Sequence, residues 1–219
     1  MTKLTFFVTT TTCYAAIETA HGIIQDSYVL GVESQSAALI PFIKSLWDRA
    51  GNPPITTLIA PKGPGSFTAL RVTLATAQGL SIAFPAATSY APTFFDVLLY
   101  GLPEQSYALI DSKRGDYFVK AKMGEPLILT PEAFVEFQSK HFDWAMIVEP
   151  DLFGNDFIMQ SGVNMISYDP EQLLGALLAA DTYAQPSEFQ PYYLFEPVFK
   201  KSSSSVSLPS SDLICGSTR

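Results

Sequence analysis

The stretch KGPGSFTALRVTLATAQGLS, residues 62–81, is the segment from which the fold of this chain can be worked out. The turn Gly63-Pro64-Gly65-Ser66 contains two glycines that can adopt positive φ, a proline with a fixed φ and a hydroxyl suited to capping a helix. A helix is predicted from about Ser66 to Ala83. Because backbone N–H groups at a helix start attract anions, two interpretations stay open: a structural strand-to-helix turn, which we favour, and a phosphate-binding loop.

Strands and helices on both sides of the turn predict α/β layers. Three strands within residues 3–31 and a helix over about 36–50 precede the turn, and Gly51 closes that helix. The second half of the chain starts again with a hairpin, which suggests a duplicated architecture. The remaining predicted elements are a strand over 57–60, a short extended segment over 85–89, a helix over 92–100, the hairpin strands over 107–111 and 116–122, a helix over 131–139 capped by Thr130, a strand over 144–148 and a helix over 169–180 capped by Asp169.

The composition excludes several classes of protein. Hydrophobic residues make up 47% and charged residues 16% of the chain of 219 residues, as in a globular protein with a well-filled core. With 13 Lys+Arg against 21 Asp+Glu, the formal net charge is −8, which disfavours nucleic-acid binding by the chain unaided. The two cysteines form no disulfide or zinc pattern, and the N-terminal apolar run is too short for a signal peptide. We therefore expect a cytoplasmic protein without a membrane span.

The sequence carries no recognisable motif of an active site. His21 and His141 stand in no metal-binding spacing, so we expect no metal. Ser66 lies in GPGSF rather than in the GxSxG of a hydrolase, and Lys62 precedes the turn instead of following it as in a P-loop. No two carboxylates are recognisable as an acid–base couple. We therefore predict no catalytic residues.

The two helices beside the turn have unusual surfaces. The helix over 36–50 is apolar over more than one stripe, so it is either buried deeply in its own core, which we favour, or presents a second face to a partner helix. The helix over 66–83 carries many small residues and can approach another helix closely. Within it, Arg71 is expected to pair with a carboxylate or to cap carbonyl groups, in preference to contacting a ligand or partner.

Four segments, in the same order across residues 35–195, resemble the TsaB (YeaZ) family. GPGSFTALRVTLATAQGLS is similar to its GPGSFTGLRxGxxxAxGLA signature, with Ala69 in place of a glycine. QSAALIPFIKSLWDRAG resembles its H[ST]xxLLPxIxxLLxxAG helix, with Gln35 in place of His. ALIDSKRGDYFVKA resembles its IDARxGEVYxA hairpin, and QPYYLF resembles its PxYLR ending, with Phe195 in place of Arg. In the first strand, where IDTS is usual, FFVTTTT has Val8 in place of Asp.

The resemblance implies the actin-like ATPase fold, with two similar lobes of mixed sheet flanked by helices. It also implies a non-catalytic subunit, without peptidase activity, that binds the metal-containing TsaD and, with the ATPase TsaE, supports threonylcarbamoyl transfer to the adenosine 3′ of the tRNA anticodon. The segment 88–98 has no His where TsaD carries HxxxH, and Val8 lacks the carboxylate that organises Mg²⁺ in such folds. No cofactor is then expected to bind tightly to this chain; ATP or ADP, and tRNA, are expected only within the complex.

Three groups of site residues follow from the pattern and the resemblance. The turn, either fold-defining or close to a nucleotide, comprises Gly63, Pro64, Gly65, Ser66, Thr68 and Arg71. The residues expected to face TsaD, or a second copy in a homodimer of the isolated chain, are Ser36, Leu39, Ile40, Ile43, Trp47, Ala69, Val72 and Thr76. The second-lobe hairpin contributes Asp111, Arg114, Gly115 and Asp116. Replacing Leu39 or Ile43 with Glu is expected to abolish partner binding and to leave a folded monomer.

We divide the chain at Gly101-Leu102-Pro103. Residues 1–102 form the N-terminal lobe with the turn and the partner-facing helices, and residues 103–201 form the C-terminal lobe, whose last segment can pack back on the first lobe. Residues 202–219 are a Ser-rich tail that is expected to be disordered. Two alternatives stay open: a nucleotide-dependent ATPase or kinase-like protein of the same fold, for which Asp111 is the best-placed carboxylate, and a divergent homodimer without TsaD contact.

Overall fold

A computed structural model describes residues 1–148, 164–167 and 170–194 of the chain. The predicted strands and helices that fall on these residues are confirmed, with shifts at their ends. Asp169, Phe195 and the Ser-rich tail lie outside the described residues. The first half contains β1 (Lys3–Val8), β2 (Thr12–Thr19), β3 (Gly22–Val29), α1 (Gln35–Arg49), β4 (Thr57–Ile59), α2 (Phe67–Ala83), β5 (Thr88–Tyr90) and α3 (Phe94–Leu99).

The second half begins with the same order as the first, three strands followed by a helix and a strand. It contains β6 (Ser106–Asp111), β7 (Tyr117–Ala121), β8 (Leu127–Leu129), α4 (Pro131–Lys140), β9 (Ala145–Val148), β10 (Met165–Ser167), α5 (Pro170–Leu178) and a short 3₁₀ turn (Ala180–Thr182). The strands β8 and β10, of three residues each, were not predicted from the sequence. Thr130 caps α4 as predicted, since its side chain accepts from the N–H of Ala133.

Each half forms a five-stranded sheet with the same strand order. The first sheet has the order β3-β2-β1-β4-β5 and the second has the order β8-β7-β6-β9-β10. In each sheet the first strand is antiparallel to the next, as in the register Lys3 opposite Glu18, and parallel to the strand that follows the first helix. This repeated topology, with helices packed on both sheets, confirms the predicted two-lobed α/β architecture of the actin-like type. No helix among those described is long and apolar enough to cross a membrane.

Alternate residues of β1 face two different layers, as the period of a strand requires. Leu4 and Phe6 pack with buried residues of α1 and α2. Phe7 faces the opposite layer, where its ring stacks on Tyr14 with ring centroids 4.8 Å apart. This layer also contains α3, α5 and Ile110 of β6, so it joins the two sheets in one hydrophobic cluster. The shared cluster holds the glycine turn of the first lobe close to the β6–β7 hairpin of the second.

Candidate functional site

The glycine turn lies between β4 and α2 and is held by backbone hydrogen bonds. The carbonyl of Gly63 accepts from the N–H of Phe94 at 2.7 Å, and the carbonyl of Lys62 accepts from the N–H of Tyr192 at 2.7 Å. Gly63 has φ +100°, and a Cβ there would lie 2.9 Å from Leu70 Cδ2 and 3.0 Å from the carbonyl oxygen of Tyr192. Both the backbone angle and the space therefore require glycine at this position.

Ser66 occupies the cap position of α2, but its hydroxyl caps nothing. Its carbonyl accepts from the N–H of Leu70 at 2.9 Å, as at a normal helix start, while its side chain makes no capping hydrogen bond. The backbone ψ at Ser66 is 122°, whereas Ser34 and Thr93, whose side chains do cap, have ψ of 152° and 153°. The predicted capping role of this hydroxyl was therefore wrong, because the backbone angle at Ser66 differs from that of the two capping residues.

A small cavity lies directly between the turn and the end of β1. Its volume is about 50 Å³, room for a few water molecules and not for a nucleotide. Val8, Ala69 and Phe94 are among the described residues that line it, and none of these lining residues is charged. The N–H of Val8 donates to Thr73 Oγ1 at 3.2 Å, which fixes the end of β1 against α2. The position where the family pattern has Asp is therefore filled by an apolar side chain, and this cavity offers no carboxylate to a cation.

A larger cavity, about 280 Å³, separates the turn from the second lobe. It brings together residues that the sequence placed in separate groups: Ser66 and Thr68 of the turn, and Arg114 of the hairpin. Two further contributors, Lys113 and Tyr193, were not predicted as site residues. Each lies within a segment that resembles the family, which is the signal by which they could have been found. None of the described residues that line this cavity carries a carboxylate.

The β6–β7 loop is a tightly hydrogen-bonded turn. The hydroxyl of Ser112 accepts from the N–H groups of Arg114 at 3.1 Å and of Asp116 at 3.3 Å. Asp111 accepts from the N–H of Lys113 at 2.6 Å, and the Lys113 ammonium lies 3.2 Å from the same carboxylate. Gly115 has φ +95°, as a reversal of this kind requires. Asp111 is therefore engaged within its own loop and lines neither of the two cavities at the turn.

Arg71 stacks on aromatic rings instead of pairing with a carboxylate. Its guanidinium carbon lies 3.7 Å from the centroid of the Phe67 ring, and its Nε lies 3.5 Å from the Tyr193 hydroxyl. The rings of Phe67 and Tyr193 have centroids 5.8 Å apart. Among the described residues, no ion pair includes Arg71 and no carbonyl accepts from it. The expectation of a carboxylate or carbonyl partner was wrong. Arg71 contacts the ring of Phe67, one helix turn earlier, and the hydroxyl of Tyr193 in the C-terminal segment.

The C-terminal segment of the described chain returns to the first lobe. Pro186 forms a bridge with Tyr90 of β5, and the N–H of Ser187 donates to the carbonyl of Ser89 at 2.9 Å. Phe189 is buried in the core under α2, and its carbonyl accepts from the side chain of Gln78 at 2.8 Å. This path brings the QPYYLF segment to the edge of the larger cavity.

The predicted partner residues fall into two groups by burial. Leu39, Ile43 and Ala69 are 0%, 4% and 2% exposed, because they lie on the faces of α1 and α2 that pack on the first sheet. These three residues cannot reach a partner, and their assignment to an interface was wrong. Trp47 also makes contacts within the chain. Its indole N–H donates to the carbonyl of Pro53 at 2.8 Å, and its ring packs edge-on against Phe84.

The other predicted partner residues are accessible. Ser36 and Ile40 are exposed, and Ile40 leaves 47% of its surface uncovered. Val72 and Thr76 on α2 are half-buried, and Thr68, which the sequence analysis assigned to the turn, is exposed beside them. A shallow pocket lined by Ser36, Thr68 and Val72 shows that α1 and α2 share this surface. We define these five residues, Ser36, Ile40, Thr68, Val72 and Thr76, as the helix face.

The described residues show no arrangement suited to metal binding. No group of three or more His, Cys, Asp or Glu within the described ranges is close enough to hold a metal ion. The ring of His141 stacks on Phe137 with centroids 4.2 Å apart, and its Nδ1 lies 2.8 Å from the carbonyl oxygen of the same residue. Cys13 is buried, and that burial raises the pKa of its thiol to about 11, so it is a poor nucleophile.

Comparison with known proteins adds two solved structures. No protein-family model matches this chain, and no curated protein matches it. YeaZ from Pseudomonas aeruginosa superposes with a TM-score of 0.63 at 21% identity, covering 88% of this chain and 99% of that chain. A structure described as an uncharacterized protein with similarity to peptidase YeaZ from Pseudomonas aeruginosa superposes with a TM-score of 0.68 at 20% identity, covering 89% and 99% of the two chains. The chain therefore has the fold of the YeaZ structures over nearly the whole of their length, as the resemblance of its motifs implied.

Proposed function

We propose that this chain is a non-catalytic scaffold subunit of a tRNA-modifying complex. In that role it binds a TsaD-type subunit and, together with a TsaE-type ATPase, supports threonylcarbamoyl transfer to the adenosine 3′ of the anticodon. The observation that carries the proposal is the agreement between the fold shared with YeaZ structures and four motif segments in the same order. Fold alone supports many functions, so the motifs at the turn and hairpin are what narrow the choice.

The chemistry around the turn supports a non-catalytic role. An enzyme that hydrolyses ATP in this fold needs a carboxylate to hold Mg²⁺ near the phosphates. Val8 fills the corresponding place at the end of β1 and is 8% exposed, and the nearby cavity is too small for a nucleotide. Asp111, the other candidate, is paired with Lys113. ATP or ADP would then bind only within the assembled complex.

The helix face supports a protein partner. None of its five residues is charged, Glu33 lines the pocket between its two helices, and Ile40 is exposed on α1, one helix turn from Ser36. Small side chains on α2, such as Thr68 and Thr76, allow a second pair of helices to approach closely. A TsaD-type subunit of the same fold would present such a pair. In the absence of that partner, two copies of the chain can bury the same face against each other, which gives a symmetric homodimer.

Size-exclusion chromatography with light scattering tests the proposal. The chain is measured alone and after mixing with the TsaD-type subunit from the same organism. We expect a homodimer that converts to a stable one-to-one heterodimer. Ile40→Glu is expected to abolish the heterodimer, because it places a charge in the helix face. Ile23→Glu is the matched control, since Ile23 is 52% exposed on β3 and lies outside the face.

Two outcomes contradict the proposal. Absence of a heterodimer with the wild-type chain at micromolar concentrations would favour the divergent homodimer. A heterodimer that survives Ile40→Glu and Val72→Glu together would show that the partner binds elsewhere on the molecule.

A further inference from the structure

We propose that β3, the edge strand of the first sheet, pairs with β3 of a second copy of this chain. The pairing is antiparallel and two-fold symmetric, with Asp26 opposite Asp26 at the axis, and it joins the two copies of the first sheet into one. The inference goes beyond the proposed function and does not depend on it. The residues of β3 are different from those of the helix face, which is assigned to another partner.

The strand β3 has one side without a neighbouring strand. In the described part of the chain it pairs only with β2, over the eight residues Gly22–Val29. The N–H of Leu30 donates to the carbonyl of Thr11 at 2.8 Å, and the direction of hydrogen bonding alternates along a strand. The even-numbered residues of β3 therefore bond to β2, and the odd-numbered residues direct their backbone groups away from the sheet. These outward residues are Ile23, Gln25, Ser27 and Val29.

The usual protection of an edge strand is largely missing from β3. Natural edge strands avoid pairing with other chains through lysine, proline, a bulge or a very short length. The eight residues of β3 include no lysine and no proline, and their register with β2 is continuous. Two of the outward residues, Ile23 and Val29, have 52% and 71% of their surface exposed. A long edge with exposed apolar side chains favours the addition of another strand.

The sequence of β3 is complementary to itself when the pairing is centred on Asp26. Ile23 then lies opposite Val29 of the second copy, and Gln25 lies opposite Ser27. All four are outward residues, so their N–H and carbonyl groups can bond to one another as a ladder requires. The symmetry makes each contact occur twice, and the exposed apolar side chains cover each other. A second copy of the chain is therefore the occupant that this edge fits.

The charge at the axis is balanced within each chain. Two Asp26 carboxylates that faced each other alone would repel. The guanidinium of Arg49 donates to Asp26 at 2.5 Å, and the N–H of Ser27 donates to it at 2.9 Å; these bonds lower the pKa of Asp26. Each carboxylate thus brings its own guanidinium to the axis, and the site has no net charge. On pairing, the N–H of Ser27 exchanges this bond for the carbonyl of Gln25 in the second copy.

Sedimentation velocity measures the association. Pairing through one strand from each copy is expected to be weak, as for interfaces below about 1,200 Å², so the chain is studied at up to about 1 mM. Ile40→Glu is used as the parent chain, because this substitution places a charge in the helix face and removes any dimer formed there. We expect a reversible equilibrium between monomer and dimer.

Substitutions on the free side of β3 test the edge itself. Ile23→Glu and Val29→Lys, each added to the parent chain, are expected to weaken the association about tenfold, because each places a charge in the interface twice. Met123→Glu is the matched control, since Met123 is 77% exposed in the second lobe, between β7 and β8. Ile23→Glu alone should leave the heterodimer of the proposed function intact, so failure of one proposal is distinguishable from failure of the other.

A charge-reversal cycle tests the axis. Arg49→Ala leaves the two Asp26 carboxylates facing each other and is expected to weaken the association about fivefold. The double variant Arg49→Ala/Asp26→Asn removes the repulsion and is expected to restore it. Rescue by removal of Asp26 would not occur if Arg49 only stabilised its own chain.

Disulfide formation tests the register. In a Cys215→Ser background, Asp26→Cys places two thiols directly opposite each other, with Cβ atoms about 4.5–5.5 Å apart, whereas Ser27→Cys places them on a diagonal of about 7–8 Å. The other native cysteine, Cys13, is buried. Under mild oxidation, Asp26→Cys is expected to form the covalent dimer faster than Ser27→Cys.

The inference is overturned if the parent chain stays monomeric up to about 1 mM, or if Ile23→Glu and Val29→Lys associate as the parent does. It is also overturned if Ser27→Cys forms the covalent dimer faster than Asp26→Cys, since the copies would then meet in another register or through another surface. Circular dichroism of each variant confirms that the chain is folded before its association is compared.

Discussion

The ammonium group of Lys3 lies 2.9 Å from the carboxylate of Asp181 and donates to the carbonyl of Leu178 at 3.0 Å. Lys3 begins β1 of the first sheet, whereas Leu178 ends α5 and Asp181 follows it in the 3₁₀ turn. The side chains of the pair are 15% and 18% exposed, so the interaction is partly shielded from water. It fastens the last helix of the described chain to the first strand, 178 residues earlier in sequence.

Removal of this contact should lower stability. Lys3→Met is expected to reduce the free energy of unfolding by about 1–3 kcal/mol, because it leaves Asp181 and a helix-terminal carbonyl without their donor. Urea denaturation followed by circular dichroism measures the change. Lys44→Met is the control: its ion pair with Asp48 is about half exposed, so its loss should cost little. Equal effects of the two substitutions would show that the Lys3 contact is no stronger than a surface pair.

The stability contributed by Lys3 should depend on pH. Burial by itself lowers the pKa of Lys3, but the hydrogen bond and charge of Asp181, with a smaller effect of Glu18, raise it above 10.5 overall. A group whose pKa is raised on folding stabilises the protein fully below its unfolded pKa and loses that effect as the pH rises through the folded value. The difference in unfolding free energy between the wild type and Lys3→Met should therefore be constant up to about pH 10 and shrink above it. A difference that grows with alkaline pH would contradict this assignment.

Leu39→Glu and Ile43→Glu should unfold the chain instead of giving a folded monomer. Both side chains are almost completely buried between α1 and the first sheet, and an unpaired carboxylate there costs more than about 4 kcal/mol. Ile40→Glu, on the exposed side of the same helix, should leave the melting temperature nearly unchanged. Thermal melts of the three variants give the comparison. A cooperative melt of Leu39→Glu near the wild-type temperature would show that this side of α1 is accessible in solution.

Gly63→Ala should destabilise the turn by about 1–3 kcal/mol, because alanine is strained at φ +100° and its Cβ would clash with Leu70 and Tyr192. Gly175→Ala is the matched control. Gly175 lies in α5 with nothing within 4 Å of a built Cβ, so alanine should stabilise that helix by about 0.5–1 kcal/mol. Chemical denaturation of both variants measures the two changes. Opposite signs are expected, and a neutral Gly63→Ala would show that the turn relaxes at no cost.

ATP titration should reveal no Mg²⁺-dependent binding to the isolated chain. The end of β1 presents Val8 where a cation-binding carboxylate would be needed, and the cavity beside it admits only a few water molecules. Isothermal titration calorimetry with and without MgCl₂ makes the measurement, and the assembled complex provides the comparison. Micromolar affinity that appears only with Mg²⁺ would support the ATPase-like alternative over the scaffold.

The order of strands and helices was accessible from the sequence because each rests on a local pattern. The Thr12–Thr19 strand and the α4 helix with its Thr130 cap follow from side-chain period and from capping chemistry within a few residues. The turn at Gly63 was likewise recognisable, since glycine and proline restrict the backbone where they stand. The three-residue strands β8 and β10 were missed, although the equally short strands β4 and β5 fall on predicted segments.

The candidate site, by contrast, depends on contacts that no local pattern contains. Leu39 and Ile40 are adjacent and both apolar, yet packing on the first sheet buries one and exposes the other. Arg71 could be placed on α2 from sequence, but its contact with the Tyr193 hydroxyl requires a segment that returns 122 residues later. Side-chain period determines which residues share a face of an element. Only the packing of the lobes on one another decides which of those faces meet protein and which meet solvent.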